Sequence, residues 1–347
     1  MHYPKPIFPN APITVNQMAD PLGAAERLLG GQQLLVIDHY STGAEILSQL
    51  HTFMRPPPST APFESRQRFR HAFRQAALNL LAPIRAHTLA LQGARPIGFL
   101  QDFYPTHQEF VLPFLQVQEM YGAWERYDKG QHMAVLGQRI HPFYGTYIPT
   151  RTSHLELFAT WLSQYSGERS VAVDVGTGCG VLALMLNKAG FEHVTATDIN
   201  PNAIESVSRE ITRRTMAPKV SPILCDLLEK APQKADLIVF NPPWIQSPAE
   251  DMFDRALFFE EGLLERFFTQ AHTRLNPGGR IVVLFSNIIN LIQPELTHPV
   301  EQEVTRGRFT LVAKNERRVK ATPNARGDKR RTKERVQLWE FTPIDEA

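Results

Sequence analysis

The stretch Asn241-Pro242-Pro243-Trp244 combines residue types that could hold and aim a flat nitrogen group. An amide or exocyclic amino nitrogen has a delocalised lone pair and is a poor nucleophile. To make it react, a protein must accept its hydrogens and turn the lone pair toward an electrophile. The Asn241 side-chain oxygen and the Pro242 carbonyl can accept one N–H each, and the locked φ angles of Pro242 and Pro243 hold the acceptors still. Placing the reacting atoms at roughly 3–3.5 Å is the main contribution open to such a site. Trp244 offers a face for a planar group and favours a cationic neighbour by roughly 0.5–2 kcal/mol. The nitrogen can shed its proton after it has become cationic, so no general base is required. The competing explanation, a proline-rich turn over a core tryptophan, is weakened by the buried strand that Asp236–Phe240 predicts directly before it.

Upstream, "VAVDVGTGCGVLAL" (171–184) puts a glycine-rich turn between a strand and a helix. Gly176, Gly178 and Gly180 let the backbone pass close to a ligand, which a Cβ would obstruct, and Thr177 lies within the same turn. The spacing is G-x-G-x-G rather than G-x-G-x-x-G. Asp174 before the first glycine would repel a pyrophosphate and attract an ammonium group. Asp198 ends the second strand and can accept both ribose hydroxyls of a nucleoside, at roughly 1.5–3 kcal/mol per charged hydrogen bond. Asp226 at the third strand end can receive an adenine amino group, with Ile199 and Leu227 sandwiching the ring. Any one of these acids alone would read as a cap or turn residue. As an ordered set they fit a nucleoside carrying an amino acid, S-adenosyl-L-methionine, and Asn241 borders the same ligand.

Strand and helix must alternate to position these groups. Strands are expected at 171–175, 193–197, 220–224, 236–240, 280–285, 309–313 and 336–341, and helices at 181–189, 202–212 and 257–275. This alternation predicts a mainly parallel sheet covered on both faces, with ligands at the carboxyl ends of its strands. Residues 1–133 read as a mostly helical domain for substrate or partner binding. Its helices are expected from Pro21 to Leu29, through Met54 after a capping box at 42–45, from Phe63 to Leu81 and from Gln108 to Tyr127, with one strand at 34–38. Residues 134–150 read as a β-hairpin linker, and 151–347 as the catalytic domain.

The 347 residues exceed one ordinary core, and 43% hydrophobic with 21% charged residues is usual for a globular chain. No apolar run is long enough for a membrane span, and prolines interrupt the N-terminus where a signal peptide needs an apolar helix. Cys179 and Cys225 are too few for a disulfide framework, and the 12 histidines show no metal-ligand spacing, so a cytoplasmic enzyme without metal is expected. Residues 314–335 hold ten Lys or Arg against three acids, a local +7 in a chain of net +2, which leaves about −5 elsewhere. That segment is either a solvated loop or a polyanion contact.

From about Gly145 to Phe341 the chain resembles class I S-adenosylmethionine-dependent methyltransferases, whose fold is Rossmann-like. The resemblance implies a mainly parallel seven-stranded sheet with an antiparallel last strand. Asn241-Pro242-Pro243-Trp244 is similar to the N-P-P-[YFW] signature of amino-group methyltransferases, and the rhythm of 258–283 is similar to the HemK-type glutamine N5-methyltransferases. That resemblance implies a protein acceptor of the translation-factor or ribosomal-protein type, with Asn241, Pro242 and Trp244 catalytic. Pro243, Trp244 and Arg151 would contact the acceptor. The chain departs from the family in having Trp244 for the usual Tyr, and Pro149-Thr150-Arg151-Thr152-Ser153-His154 for P-R-P-x-T-E. Methylation of an RNA or DNA base, with 314–335 holding phosphates, is the main rival. A small-molecule acceptor is a second, and a cofactor-fold binding module without turnover is a third, which the intact Asn241 disfavours.

Overall fold

The computed structural model describes residues 1–215, 219–231, 234–249, 252, 254–319 and 333–344. It divides into two compact units, Tyr3–Asp128 and a larger one made of Met1–His2 with Lys129–Ala347.

The smaller unit has more helix than strand, but five strands where the sequence predicts one. Its strands are β1 (Ile13–Val15), β2 (Leu34–Val36), β3 (Leu80–Arg85), β4 (Thr88–Leu89) and β5 (Glu109–Pro113), joined in one five-stranded sheet. The helices are α1 (Pro21–Leu29), α2 (Tyr40–Phe53), α3 (Phe63–Ala77), α4 (Phe99–Phe103) and α5 (Phe114–Lys129). Asp20 caps α1 by accepting from Leu22 and Gly23, with Pro21 opening the helix as expected. The capping box does not form, because α2 begins at Tyr40 with His39 in the cap position. The helix predicted through Leu81 stops at Ala77, and Leu80 and Leu81 pair with β2 instead. Pro83 is tolerated in β3 because it lies past the last residue paired with β2, where no N–H is required. Pro113 ends a strand rather than interrupting a helix.

In the larger unit a short hairpin of β6 (Gln131–Met133) and β7 (Gln138–Ile140) comes first, so the expected hairpin shifts toward the N-terminus and residues 141–152 are irregular. There follow α6 (Ser153–Gln164), β8 (Val171–Val175), α7 (Val181–Lys188), β9 (His193–Asp198), α8 (Pro201–Arg214), β10 (Val220–Leu224) and β11 (Ala235–Phe240). Next are β12 (Ile245–Gln246), β13 (Phe258–Phe259), α9 (Leu263–His272), β14 (Leu275–Ser286), α10 (Ile288–Ile292) and α11 (Pro299–Arg306). The chain closes with β15 (Phe309–Arg318) and β16 (Arg335–Pro343). The helix expected at 257–275 starts only at Leu263, because Gly262 adopts φ 83 before it and 258–259 pairs with β12.

Seven strands form one sheet in the order β10-β9-β8-β11-β14-β16-β15. β8 to β11 and β14 run parallel, while β16 is antiparallel to both neighbours. Alternate residues of β11 feed opposite cores. Leu237 and Val239 pack with Phe158 and Leu182, whereas Ile238 and Phe240 pack with Phe267 and Phe268. A strand buried on both faces needs continuous apolar sequence, which 237–240 supplies. The strand order reverses between β8 and β11, and this opens a crevice at their carboxyl ends.

Candidate active site

The crevice is a cavity of about 330 Å³. Gly176, Thr177 and Gly178 from the turn after β8, Asp198 and Ile199 from the end of β9, and Asp226 and Leu227 after β10 all line it. Asn241, Pro242, Pro243 and Trp244 after β11 line it too, with Arg151 from the segment before α6.

Gly176 and Gly178 have φ of 64 and 53. A Cβ on Gly176 would come within 3.3 Å of the Phe240 ring, so the turn also needs its glycines for packing. Gly180, at φ 83, precedes α7 in the cap position and lies outside the cavity wall; a Cβ there would come within 3.0 Å of Val207. Gly180 has no side chain to cap α7, and Asp174 does so from a distance. Its Oδ2 accepts from Ala183 N at 2.9 Å and from Thr177 Oγ1 at 2.6 Å. Strand alternation turns Asp174 toward α7, fully buried, and its other oxygen, Oδ1, has no partner among the described residues. Burial pushes its carboxyl up to about 7 against those two bonds.

Asp198 faces the cavity. Its Oδ2 accepts from Gly178 N at 2.9 Å and its Oδ1 from Asn200 N at 2.8 Å. Burial raises its pKa, and those N–H groups together with Ile199 N oppose the rise. A carboxylate can accept about four hydrogen bonds, so acceptor capacity remains. Ile199 is 40% exposed, leaving an apolar surface open to a ligand. Asp226 has Arg266 at 3.6 Å. Leu227 sits at φ 50, a conformation costing on the order of 1 kcal/mol for a side chain of this size.

On the opposite wall, the Asn241 Oδ1 is buried with no hydrogen-bond partner among the described residues. Trp244 is pinned through its indole N–H, which donates to the Leu284 carbonyl at 3.3 Å. Arg151 is not free: its guanidinium meets Glu334 at 2.6 Å, and Glu334 is nearly fully buried. Ser286 Oγ also donates to Glu334 at 3.5 Å.

Glu334, Tyr147 and His154 line the cavity and were not assigned to the site from sequence. Nothing local marks Glu334, which reaches the cavity from the start of β16. Burial raises the Tyr147 phenol to about 12 and lowers His154 to about 4. Much of the basic segment, including Lys329, Arg330 and Arg331, lies outside the described residues. Within them, Lys314 pairs with Glu301, Arg317 with Glu156 and Arg335 with Glu316. Among the described residues no group of His, Cys, Asp and Glu is placed to hold a metal, and no helix is long and apolar enough to cross a membrane. Cys179 and Cys225 are both buried free thiols.

Residues 155–313 match the family model described as the methyltransferase small domain. Sheet order and this match together define the class: the larger unit is a class I methyltransferase, an enzyme that uses S-adenosyl-L-methionine. A Methanocaldococcus jannaschii protein provisionally named a protein N5-glutamine methyltransferase is 27% identical over 135 residues, 35% of this chain and 68% of that one. The ribosomal RNA small subunit methyltransferase C of Chromohalobacter salexigens is 31% identical over 163 residues, 47% of this chain and 43% of its own. Methyltransferase HEMK2 of Mus musculus is 31% identical over 122 residues, 31% of this chain and 56% of its own. The matched stretch thus spans about half the length of the latter two relatives. The cavity suits the donor on its own chemistry, with a close backbone at Gly176–Gly178, spare acceptor capacity at Asp198 and an unsatisfied amide oxygen at Asn241.

Proposed function

We propose that the enzyme methylates a planar amide nitrogen, with a protein glutamine side chain as the acceptor. Asp198 would hold the donor's ribose hydroxyls, Asp226 the adenine amino group, and Ile199 and Leu227 the two faces of the ring. The Gly176–Gly178 backbone would border its amino-acid end, while Asp174 and Gly180 support that turn from behind. When bound, the donor supplies an electrophilic methyl group. Asn241 Oδ1 and the Pro242 carbonyl accept the two N–H groups of the acceptor, which turns its lone pair outward. Trp244 lies along its plane, beside Pro243. The nitrogen would take the methyl group as the methyl–sulfur bond of the donor breaks to leave a neutral thioether, and the resulting cation would release a proton to water. The Arg151–Glu334 pair would border the acceptor without leaving a free charge there.

One observation carries this reading: the buried, unpartnered Asn241 oxygen on the same cavity as the glycine turn. An isolated buried acceptor costs roughly 1–3 kcal/mol, and an acceptor N–H would remove that cost. The similarity to the Methanocaldococcus jannaschii protein and to ribosomal protein L11 methyltransferases, with the N-P-P-W motif, favours a translation-factor or ribosomal-protein acceptor in a cytoplasmic setting. The N-terminal unit would recruit that protein. The test is to incubate purified enzyme and methyl-labelled donor with cell extract. Label in protein, recovered as methylated glutamine, is expected; label in nucleic acid or small molecules alone would refute the reading.

Methylation of an RNA base amine is a second reading, favoured by similarity to the ribosomal RNA methyltransferase. The described basic residues of 314–335 speak less for it, since three of them are paired with acids.

A further inference from the structure

His154 is the second residue of α6 and is 1% exposed, with neither ring nitrogen hydrogen-bonded among the described residues. The neighbouring core positions Leu155, Leu157 and Phe158 are apolar, and a leucine would satisfy a purely packing role at less cost. His298 is likewise buried, but it has Gln337 beside it and packs between Phe285 and Trp339 away from the cavity. His154 instead forms part of the cavity wall and meets the Trp244 ring edge-on, at 5.3 Å and 89°. It is therefore a polar ring with open valences, set against the aromatic that flanks Asn241.

A carboxamide brings two N–H donors and one carbonyl oxygen. Asn241 and Pro242 answer the donors, and the oxygen still needs a donor of its own. Beside Trp244, the indole N–H is committed to Leu284 and one Arg151 N–H to Glu334. The His154 ring is not committed, and burial keeps it neutral, with one N–H to give.

We propose that His154 is a substrate-recognition residue whose ring N–H donates to the carbonyl oxygen of the acceptor carboxamide, so that the site selects an amide over an amine. This rests on the amide reading of the function above. A donor at His154 and acceptors at Asn241 and Pro242, lining one cavity, match the polarity of a carboxamide. An alkyl amine would leave the His154 N–H unpaired in the cavity, and a site that binds a polar group by pairing rejects ligands that lack it.

The test uses full-length enzyme, methyl-labelled S-adenosyl-L-methionine and extract from cells lacking the enzyme. His154→Leu keeps volume and removes the donor, whereas His154→Asn keeps a donor at similar reach. His154→Leu is expected to lower incorporation into protein about 30- to 100-fold while donor affinity, measured by calorimetry, stays within about twofold. His154→Asn is expected to stay within about tenfold of wild type. Incorporation by His154→Leu close to wild type would overturn the inference and leave the amide reading standing. Equal loss in both variants would reduce His154 to packing, with the same consequence. Wild-type label confined to nucleic acid or amines, or no label at all, would instead overturn the amide reading and this inference with it.

Discussion

The Asp198 carboxylate accepts the Gly178 N–H at 2.9 Å, so the acid at the tip of β9 clasps the glycine turn after β8. One oxygen is fixed by the turn and the other by Asn200, and the whole group faces the cavity. Ligand binding and turn geometry are therefore linked at this residue.

Asp198→Ala should weaken donor binding by roughly 10- to 100-fold, the loss of charged hydrogen bonds worth about 1.5–3 kcal/mol. Calorimetric titration with S-adenosylhomocysteine measures it. Unchanged affinity would show that the donor does not lie over β9.

Asn241→Ala should leave donor affinity within a few-fold and reduce turnover by roughly 100- to 1000-fold, as loss of a preorganised polar contact does. Single-turnover kinetics with the labelled donor separate the two quantities. A variant that turns over normally would remove the orienting role.

Arg151→Met would leave the Glu334 carboxylate buried without its cation. Removing one partner of a buried pair costs about 3–5 kcal/mol, and the partial exposure of Arg151 reduces this to about 1–3 kcal/mol. Adding Glu334→Gln should recover part of the loss in urea denaturation. Additive losses would mean the two side chains are not coupled.

His154 and His298 both have pKa values lowered by burial, each to about 4. In the unfolded chain each titrates near 6.5, so between about 4 and 6.5 the unfolded state binds more protons and stability falls as pH falls. Asp174 acts in the opposite sense: its raised value of about 7 costs stability as pH rises from about 4 to 7. Asp198, also raised by burial, adds to that opposing sense, so the histidine contribution to acid loss is isolated by removing one histidine. Replacing His298 by Leu should reduce that loss by up to about 2 kcal/mol, since one proton contributes about 1.36 kcal/mol per pH unit. Parallel stability curves for the two proteins would place the His298 titration elsewhere.

Local pattern made much of the catalytic sheet legible. Strand 171–175, the glycine turn and strand 220–224 need only near-neighbour information, and the structure has them where the sequence puts them. That Asp174 also caps α7 was not legible, because a strand residue's direction depends on which face of the sheet α7 covers. The N-terminal sheet was missed because Leu80 reads as a helix tail until Leu34 is placed beside it, 46 positions earlier in the chain.

The sequence by itself determined the strand–turn–helix alternation, the glycine turn with its acids and the N-P-P-W motif, because each is written in adjacent residues whose backbone preferences are intrinsic. Only the tertiary structure decided that Glu334 reaches Arg151 across 183 positions and that His154 is buried beside Trp244. Those placements arise where β16 inserts between β14 and β15 and where α6 packs on the sheet, and burial changes a side chain's hydrogen-bonding obligations in a way no short window of sequence records.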